Sequence, residues 1–131
     1  MAVGLHGVNL ANKWLDMLGG TAFTAPATTA ARLHTGDPGS AGTANTSANT
    51  TRVAYTWAAA SAGAKAISNT PSWASWANGS ETLTHVATWD NVTAGAGNFL
   101  FSAALTASKA ITNGDTFTLS SLSISLAPLA A

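Results

Sequence analysis

The stretch that decides the fold is TLTHVATWDNVTAGAGNFLFSAALTASKAITNGDTFTLSSLSISL, which runs over residues 82–126. In its first segment, residues 82–89, threonine recurs at every second position except Val86. A period of two with β-branched and aromatic side chains is typical of a half-buried β-strand. The alternation predicts one strand face that carries Leu83, His85, Ala87 and Trp89.

Two further signals extend this strand into a sheet. Residues 90–97, DNVTAGAG, are a turn-forming run. Residues 98–105, which follow it, carry apolar side chains at both odd-numbered and even-numbered positions. Apolar residues on both faces are typical of a central strand. The Asn-Gly pair at 113–114 then predicts a tight turn that needs a positive φ.

The last segment, residues 116–126, has an apolar pattern that changes parity part-way. Phe117 and Leu119 share one parity, whereas the apolar residues that follow share the other. One extra residue would bring both sets to the same face, so we predict a β-bulge at residues 120–121.

Composition favours association with other proteins. The 131 residues, without a linker-like interruption, predict one domain over residues 1–131. Only 8% of the residues are charged and the formal net charge is zero, whereas ordinary soluble domains carry about 25%. A surface of hydroxyls and small side chains with so little charge favours a subunit packed into something larger.

The same composition argues against several classes of protein. Five dispersed Lys and Arg form no basic stripe for nucleic acid, and the absence of Cys excludes disulfides and thiolate metal sites. No apolar run is long enough to predict a membrane span, and the N-terminal segment lacks the basic start and long apolar core of a signal peptide.

Residues 9–18 predict the one convincing helix. Asn9 suits its N-cap and the glycines at 19–20 suit its end. The apolar residues stand at i, i+4, i+7 and i+8 and form one stripe: Leu10, Trp14, Met17 and Leu18. We interpret the stripe as core that plugs one face or end of the sheets, with a partner-binding helix as the alternative.

The remaining segments predict an antiparallel β-sandwich, jelly-roll-like, with about seven or eight strands over residues 28–126. Residues 40–51 form a polar loop, either a surface Ω-type loop or an arm that orders only against a neighbouring subunit. The arm interpretation makes Thr43 and Asn45 candidate interface residues. Trp73 and Trp76 are three apart and cannot share one face of a regular strand, so a bulge or turn must intervene.

No residue set predicts a catalytic, cofactor or metal site. Three of the five carboxylates lie in predicted turns, where Asp commonly bonds the local backbone. His6, His34 and His85 lack the close spacing of metal ligands, and His34 and His85, at strand positions, are interpreted as packed or hydrogen-bonded side chains. Trp73 and Trp76 remain as candidates for an interface, or for a platform that stacks sugar rings.

Several segments in order resemble a known family of phage proteins. They are ANKWLDML (11–18), TAFTAP (21–26), LHTGDPG (33–39), AGTAN (41–45), GNFLFS (97–102) and NGDT (113–116). Together they resemble small virion structural proteins of tailed phages, especially those of actinobacteria, usually labelled tail-fibre or minor tail proteins. The resemblance covers nearly the whole chain and supplies no catalytic residues.

This resemblance implies a non-enzymatic structural component on the exterior of a tailed-phage particle, made in the host cytoplasm. The expected partners are other virion proteins, in the tail or the major capsid lattice, and further copies of the same chain. Two alternatives stay open at this point: a decoration protein that stabilises the capsid, and a carbohydrate-binding module for host-surface glycans.

Overall fold

All strand pairs of the computed structural model, which describes residues 3–126, are antiparallel. The mainly β prediction is therefore confirmed. One sheet has five strands in the order β1-β7-β6-β2-β3, and two ribbons pair β4 with β9 and β5 with β8. The strands are β1 (Gly4–Leu5), β2 (Thr29–His34), β3 (Val53–Tyr55), β4 (Ala64–Ala66), β5 (Ser72–Trp73), β6 (Glu81–Trp89), β7 (Phe99–Ile111), β8 (Phe117–Thr118) and β9 (Ser123–Ser125).

The main core lies between the five-stranded sheet and the two ribbons. It joins Leu33 and Phe101 of the sheet to Trp73 and Phe117 of one ribbon, and Ile124 of the other ribbon packs against it. Two layers that bury one shared apolar interior are the arrangement that the alternating strand patterns predict. The sequence analysis missed β1, which pairs with β7 at only two positions.

The pairing of β6 with β7 contains two register shifts, and the first changes which residues face the core. Leu83 pairs with Lys109, but His85 pairs with Ala104, so β7 holds extra residues opposite Thr84. Leu83 and Val86 both join the main core as a result, although their spacing places them on opposite faces of a regular strand. The prediction that Leu83, His85, Ala87 and Trp89 share one strand face is therefore wrong. The register shift at Thr84 separates Leu83, in the main core, from Ala87 and Trp89, which belong to a second cluster.

The second shift explains why residues 98–105 are apolar at both parities. Thr88 pairs with Phe101 and Trp89 with Phe99, which leaves Leu100 as an extra residue. Leu100 and Phe101 pack in the main core, whereas Phe99 packs with Trp89 on the other side of the sheet. We call that other side the outer face of the five-stranded sheet.

The predicted single strand at 116–126, with its bulge, is wrong. The chain instead leaves β8, which pairs with β5, and enters β9, which pairs with β4. The parity change in the sequence marks this passage from one ribbon to the other. Leu119 and Leu122 on either side of it are both buried, and Leu126 is 59% exposed.

The predicted helix begins earlier in the structure than the sequence suggests. A π-helical turn, Gly7–Ala11, continues into α1, Asn12–Leu18. His6 caps the turn, since its Nδ1 accepts a hydrogen bond from the backbone N–H of Asn9 at 3.1 Å. The predicted Asn9 cap is therefore wrong, because its side chain donates to the Phe99 carbonyl instead.

Only the first half of the predicted helical stripe reaches the core. Leu10 is buried and Trp14 packs against the main core, whereas Met17 is 51% and Leu18 83% exposed. The glycines at 19–20 end the helix as predicted, and Gly20 has φ 89°. The last turn of the helix lies past the core, so its apolar side chains are exposed to solvent.

Two leucines provide a matched test of this core. Leu33 is 0% and Leu18 83% exposed. Leu33→Ala should lower the free energy of unfolding by about 2–5 kcal/mol, because it removes buried methyl groups and leaves a cavity. Leu18→Ala should change it by less than about 0.5 kcal/mol. Urea denaturation of both variants measures the two values, and similar losses would contradict the assigned burial.

Candidate functional site

The N-terminal helical segment, which comprises the π-helical turn and α1, carries a cluster of exposed apolar side chains. Of the seven large apolar side chains that are exposed within residues 3–126, four lie in this short segment. We call them the helix surface: Val8 (68% exposed), Leu15 (64%), Met17 (51%) and Leu18 (83%). Clustered exposed apolar side chains, unlike scattered ones, mark interaction sites.

The local sequence explains why this surface points outward. Leu10 and Trp14 are four apart and use the inward side of the segment, and no residue of α1 itself is buried. Leu15 is one residue from Trp14 and so lies off the inward side. Met17 and Leu18 share the side of Trp14 but lie past the part of the helix that reaches the core. Lys13 and Asp16 lie beside them and, with residues 21–24, line a cavity of about 280 Å³. Apolar residues bordered by charged ones are typical of a protein–protein interface.

The structure places the two predicted interface tryptophans in the core. Trp73 and Trp76 are 3% and 2% exposed. The indole N–H of Trp73 donates to the Thr51 carbonyl, and that of Trp76 to the Gly79 carbonyl, both at 3.0 Å. The turn required between them is present, since Ser75 has φ 52°. Neither ring offers an exposed face for a sugar.

The 35–51 loop is ordered against its own sheet, which contradicts the arm interpretation. Ser47 is 2% exposed, and its N–H donates to the Leu33 carbonyl at 3.1 Å. The Glu81 carboxylate accepts from the Ser47 hydroxyl and, at 3.1 Å, from the Ala48 N–H. Sequence reasoning missed this role for Glu81, because its two partners lie far away along the chain.

Thr43 and Asn45, the other two predicted interface residues, lie in this loop and are exposed. The side-chain amide of Asn45 donates to the backbone carbonyl of Asp37 at 2.8 Å. The backbone carbonyl of Asn45 accepts from the Thr35 N–H, also at 2.8 Å. Asn45 also has φ 48°, a conformation that Asn tolerates better than most residues. Asn45 therefore shapes the loop, and an interface role for Thr43 and Asn45 stays a prediction.

A small second core lies on the outer face. Phe99 packs on Trp89 and on His6, with ring centroids 5.6 Å apart in both pairs. Gly42 of the 35–51 loop lies against the Phe99 ring so closely that a Cβ atom there would overlap the ring. The loop therefore requires a glycine at this point.

Arg52 holds the 90–98 loop over the same face. Its Nη1 donates to the carbonyls of Asn91 (3.0 Å), Thr93 (2.9 Å) and Ala96 (2.7 Å). The guanidinium carbon lies 4.0 Å from the centre of the Trp89 ring, a cation–π contact. Burial lowers the pKa of Arg52, and so does the nearby charge of Arg32.

His34 is buried in the same region. It is 0% exposed, and its Nδ1–H donates to the Ala44 carbonyl at 2.8 Å. Burial lowers the pKa of His34, which favours the neutral ring. No group of three or more His, Asp or Glu side chains within residues 3–126 is arranged to hold a metal ion. In the same range no helix is long and apolar enough to cross a membrane.

A family model described as Podophage GP4 fiber I protein gp80 matches residues 8–127. The chain belongs to this family of phage fibre proteins. The match begins in the helix surface and extends beyond β9, so it includes all or most of every element except β1. The resemblance to a phage tail-fibre family is thereby confirmed, whereas the narrower assignment to actinobacterial phages stays a prediction. No curated protein sequence matches the chain.

Two glycines of the chain separate the effect of packing from that of backbone strain. Gly42 has φ 70° and Gly95 φ 84°, but only Gly42 lies against the Phe99 ring. Gly95→Ala should cost only the backbone strain, about 1–2 kcal/mol. Gly42→Ala should cost clearly more, because the ring is packed and has no room to move. Thermal unfolding of both variants measures the difference, and equal losses would show that the 35–51 loop does not cover Phe99.

Proposed function

We propose that the protein is a non-enzymatic, tail-fibre-type minor structural component on the exterior of a tailed-phage particle, and that it acts by protein–protein assembly. Membership of a phage fibre family supports a place among virion proteins. The helix surface is the observation that supports this mode of action, because it exposes four large apolar side chains within one short segment.

The helix surface has the composition of a binding site for another protein. Fully burying a Val, Leu or Met side chain contributes about 1.5–3 kcal/mol. A few such side chains at the centre of an interface supply most of its binding energy. Val8, Leu15 and Leu18 are each more than half exposed, so most of this energy is available only on assembly.

Low charge supports the same proposal. Five acidic and five basic residues in 131 give no net charge, so little long-range repulsion keeps subunits apart. We infer that the partners are other virion proteins and further copies of this chain. We also propose that residues 1–131 act as one domain, because the helical segment, the sheet and both ribbons all contribute to the main core.

Decoration of the capsid by the same surface remains the second candidate. The helix surface would serve equally on a capsid lattice, and the copy number per particle separates the two, since a capsid lattice requires many copies and a fibre few. The carbohydrate-binding alternative loses its support, because Trp73 and Trp76 are buried.

The decisive variant is the double substitution Leu15→Ser with Leu18→Ser. Both side chains are exposed, so the melting temperature should stay within about 2 °C of that of the unchanged protein. Incorporation into phage particles should fall at least about tenfold, which corresponds to a loss of only about 1.4 kcal/mol of binding. Quantitative mass spectrometry of purified particles measures incorporation.

Val92→Ser is the matched control. Val92 is 47% exposed but lies in the 90–98 loop, away from the helical segment in the sequence. This variant should incorporate normally. Normal incorporation of the Leu15/Leu18 double variant would show that assembly does not depend on the helix surface.

A further inference from the structure

The outer face of the five-stranded sheet brings basic side chains together. In the β2–β3 pairing Ala31 lies opposite Val53, and continuing this register by one residue places Arg32 opposite Arg52. In the β2–β6 pairing His34 lies directly opposite His85. Arg32 and His34 are two apart on β2 and so share a face. We call these four residues the basic row: Arg32, His34, Arg52 and His85.

Like charges directly opposite each other on neighbouring strands are destabilising. The chain has only five Lys and Arg, yet the continued register of β2 and β3 brings two of them together here. Burial lowers the pKa of both Arg52 and His34, and the charge of Arg32 acts in the same direction on both. The carboxylate whose charge favours the protonated form of Arg52 is Asp90, and both of its oxygens already accept from Asn98, at 2.6 and 2.9 Å.

Unsatisfied hydrogen-bonding groups concentrate on the same face. Four buried side-chain nitrogens within residues 3–126 have no protein partner, and all four belong to the outer face: Arg32 Nε, His34 Nε2, Arg52 Nε and Trp89 Nε1. His34 and Arg52 are 0% and 5% exposed. A buried polar group without a partner is destabilising, so native proteins rarely retain several in one place.

We propose that the basic row binds a single oxyanion group, a phosphate or a carboxylate. The guanidinium groups of Arg32 and Arg52 match the geometry of such a group, and an oxyanion accepts hydrogen bonds from their unpartnered N–H groups. Arg32 and His85 are only half-buried, which gives the anion a route from solvent. Because Nδ1 of His34 donates to Ala44, protonation would turn its Nε2 into a further donor.

A bound internal water molecule is the competing explanation for the unpartnered N–H groups. The charge of the bound group distinguishes an oxyanion from water. Water can accept hydrogen bonds from the same N–H groups, but it brings no negative charge to the paired positive charges of Arg32 and Arg52. An oxyanion compensates both. The proposal is independent of the assembly function, because the basic row and the helix surface share no residue.

The test compares melting temperatures in chloride, phosphate and acetate at one pH and one ionic strength. Phosphate or acetate at about 100 times its dissociation constant should raise the melting temperature of the unchanged protein by several degrees over chloride. A larger rise in phosphate identifies a phosphate site, and a larger rise in acetate a carboxylate site. No rise in either would overturn the proposal.

Arg32→Gln should abolish the rise, and in chloride alone it should melt no lower than the unchanged protein, because it removes the like-charge pair. Lys109→Gln, at an exposed position on β7 outside the basic row, is the control and should keep the full rise. A rise that persists in Arg32→Gln assigns the effect to another place and contradicts the proposal. If Arg32→Gln does not fold, His85→Gln at the half-buried end of the row should weaken phosphate binding in titration calorimetry, and unchanged binding would count against the site.

Discussion

The antiparallel pairing of β6 with β7 is the interaction on which the rest of the structure depends. Its two register shifts send apolar side chains to both faces of the five-stranded sheet, so the sheet needs a cover on each side. The two ribbons cover one face and complete the main core. The 35–51 and 90–98 loops cover the other, held by Glu81 and Arg52 respectively. Loops without regular structure are therefore fixed parts of this fold, because each supplies hydrogen bonds or packing to a buried surface.

Local pattern in the sequence predicted most of the strands, since alternation and turn residues act over a few positions. It could not predict which face each residue takes beyond Thr84, because the shift is set by the extra residues of β7, a separate strand later in the chain. The same limit explains the final segment, where the parity change that predicted a bulge is a passage between two ribbons. The helical stripe shows a further limit: periodicity groups Leu10 with Leu18, but it does not reveal that the core ends before Leu18.

For the candidate sites too, the sequence predicted what depends on neighbouring residues and not what depends on contacts between distant ones. The resemblance in the sequence correctly indicated a phage fibre family, because it rests on several segments in order along the chain. The tryptophans chosen as interface candidates for their residue type are buried. The surface proposed instead consists of exposed aliphatic and Met side chains in the helical segment, which the sequence offered only as the alternative of a partner-binding helix. The basic row was equally hidden, since Arg32 and Arg52 meet only through the register of β2 and β3. A residue's chemistry is visible in the sequence, whereas its neighbours across a sheet are not.

The proposed function requires the five-stranded sheet to hold its fold while the helix surface binds other virion proteins. Hydrogen exchange, followed by mass spectrometry on the free protein and on purified particles, tests it most directly. The amides of β6 should exchange slowly in both samples, because β6 lies inside the sheet between β7 and β2. Residues 8–18 should exchange faster than β6 in the free protein, because no residue of α1 is buried, and at least about tenfold more slowly on the particle than in the free protein. Unchanged exchange of residues 8–18, with new protection in residues 40–51 instead, would contradict the account and assign assembly to the loop.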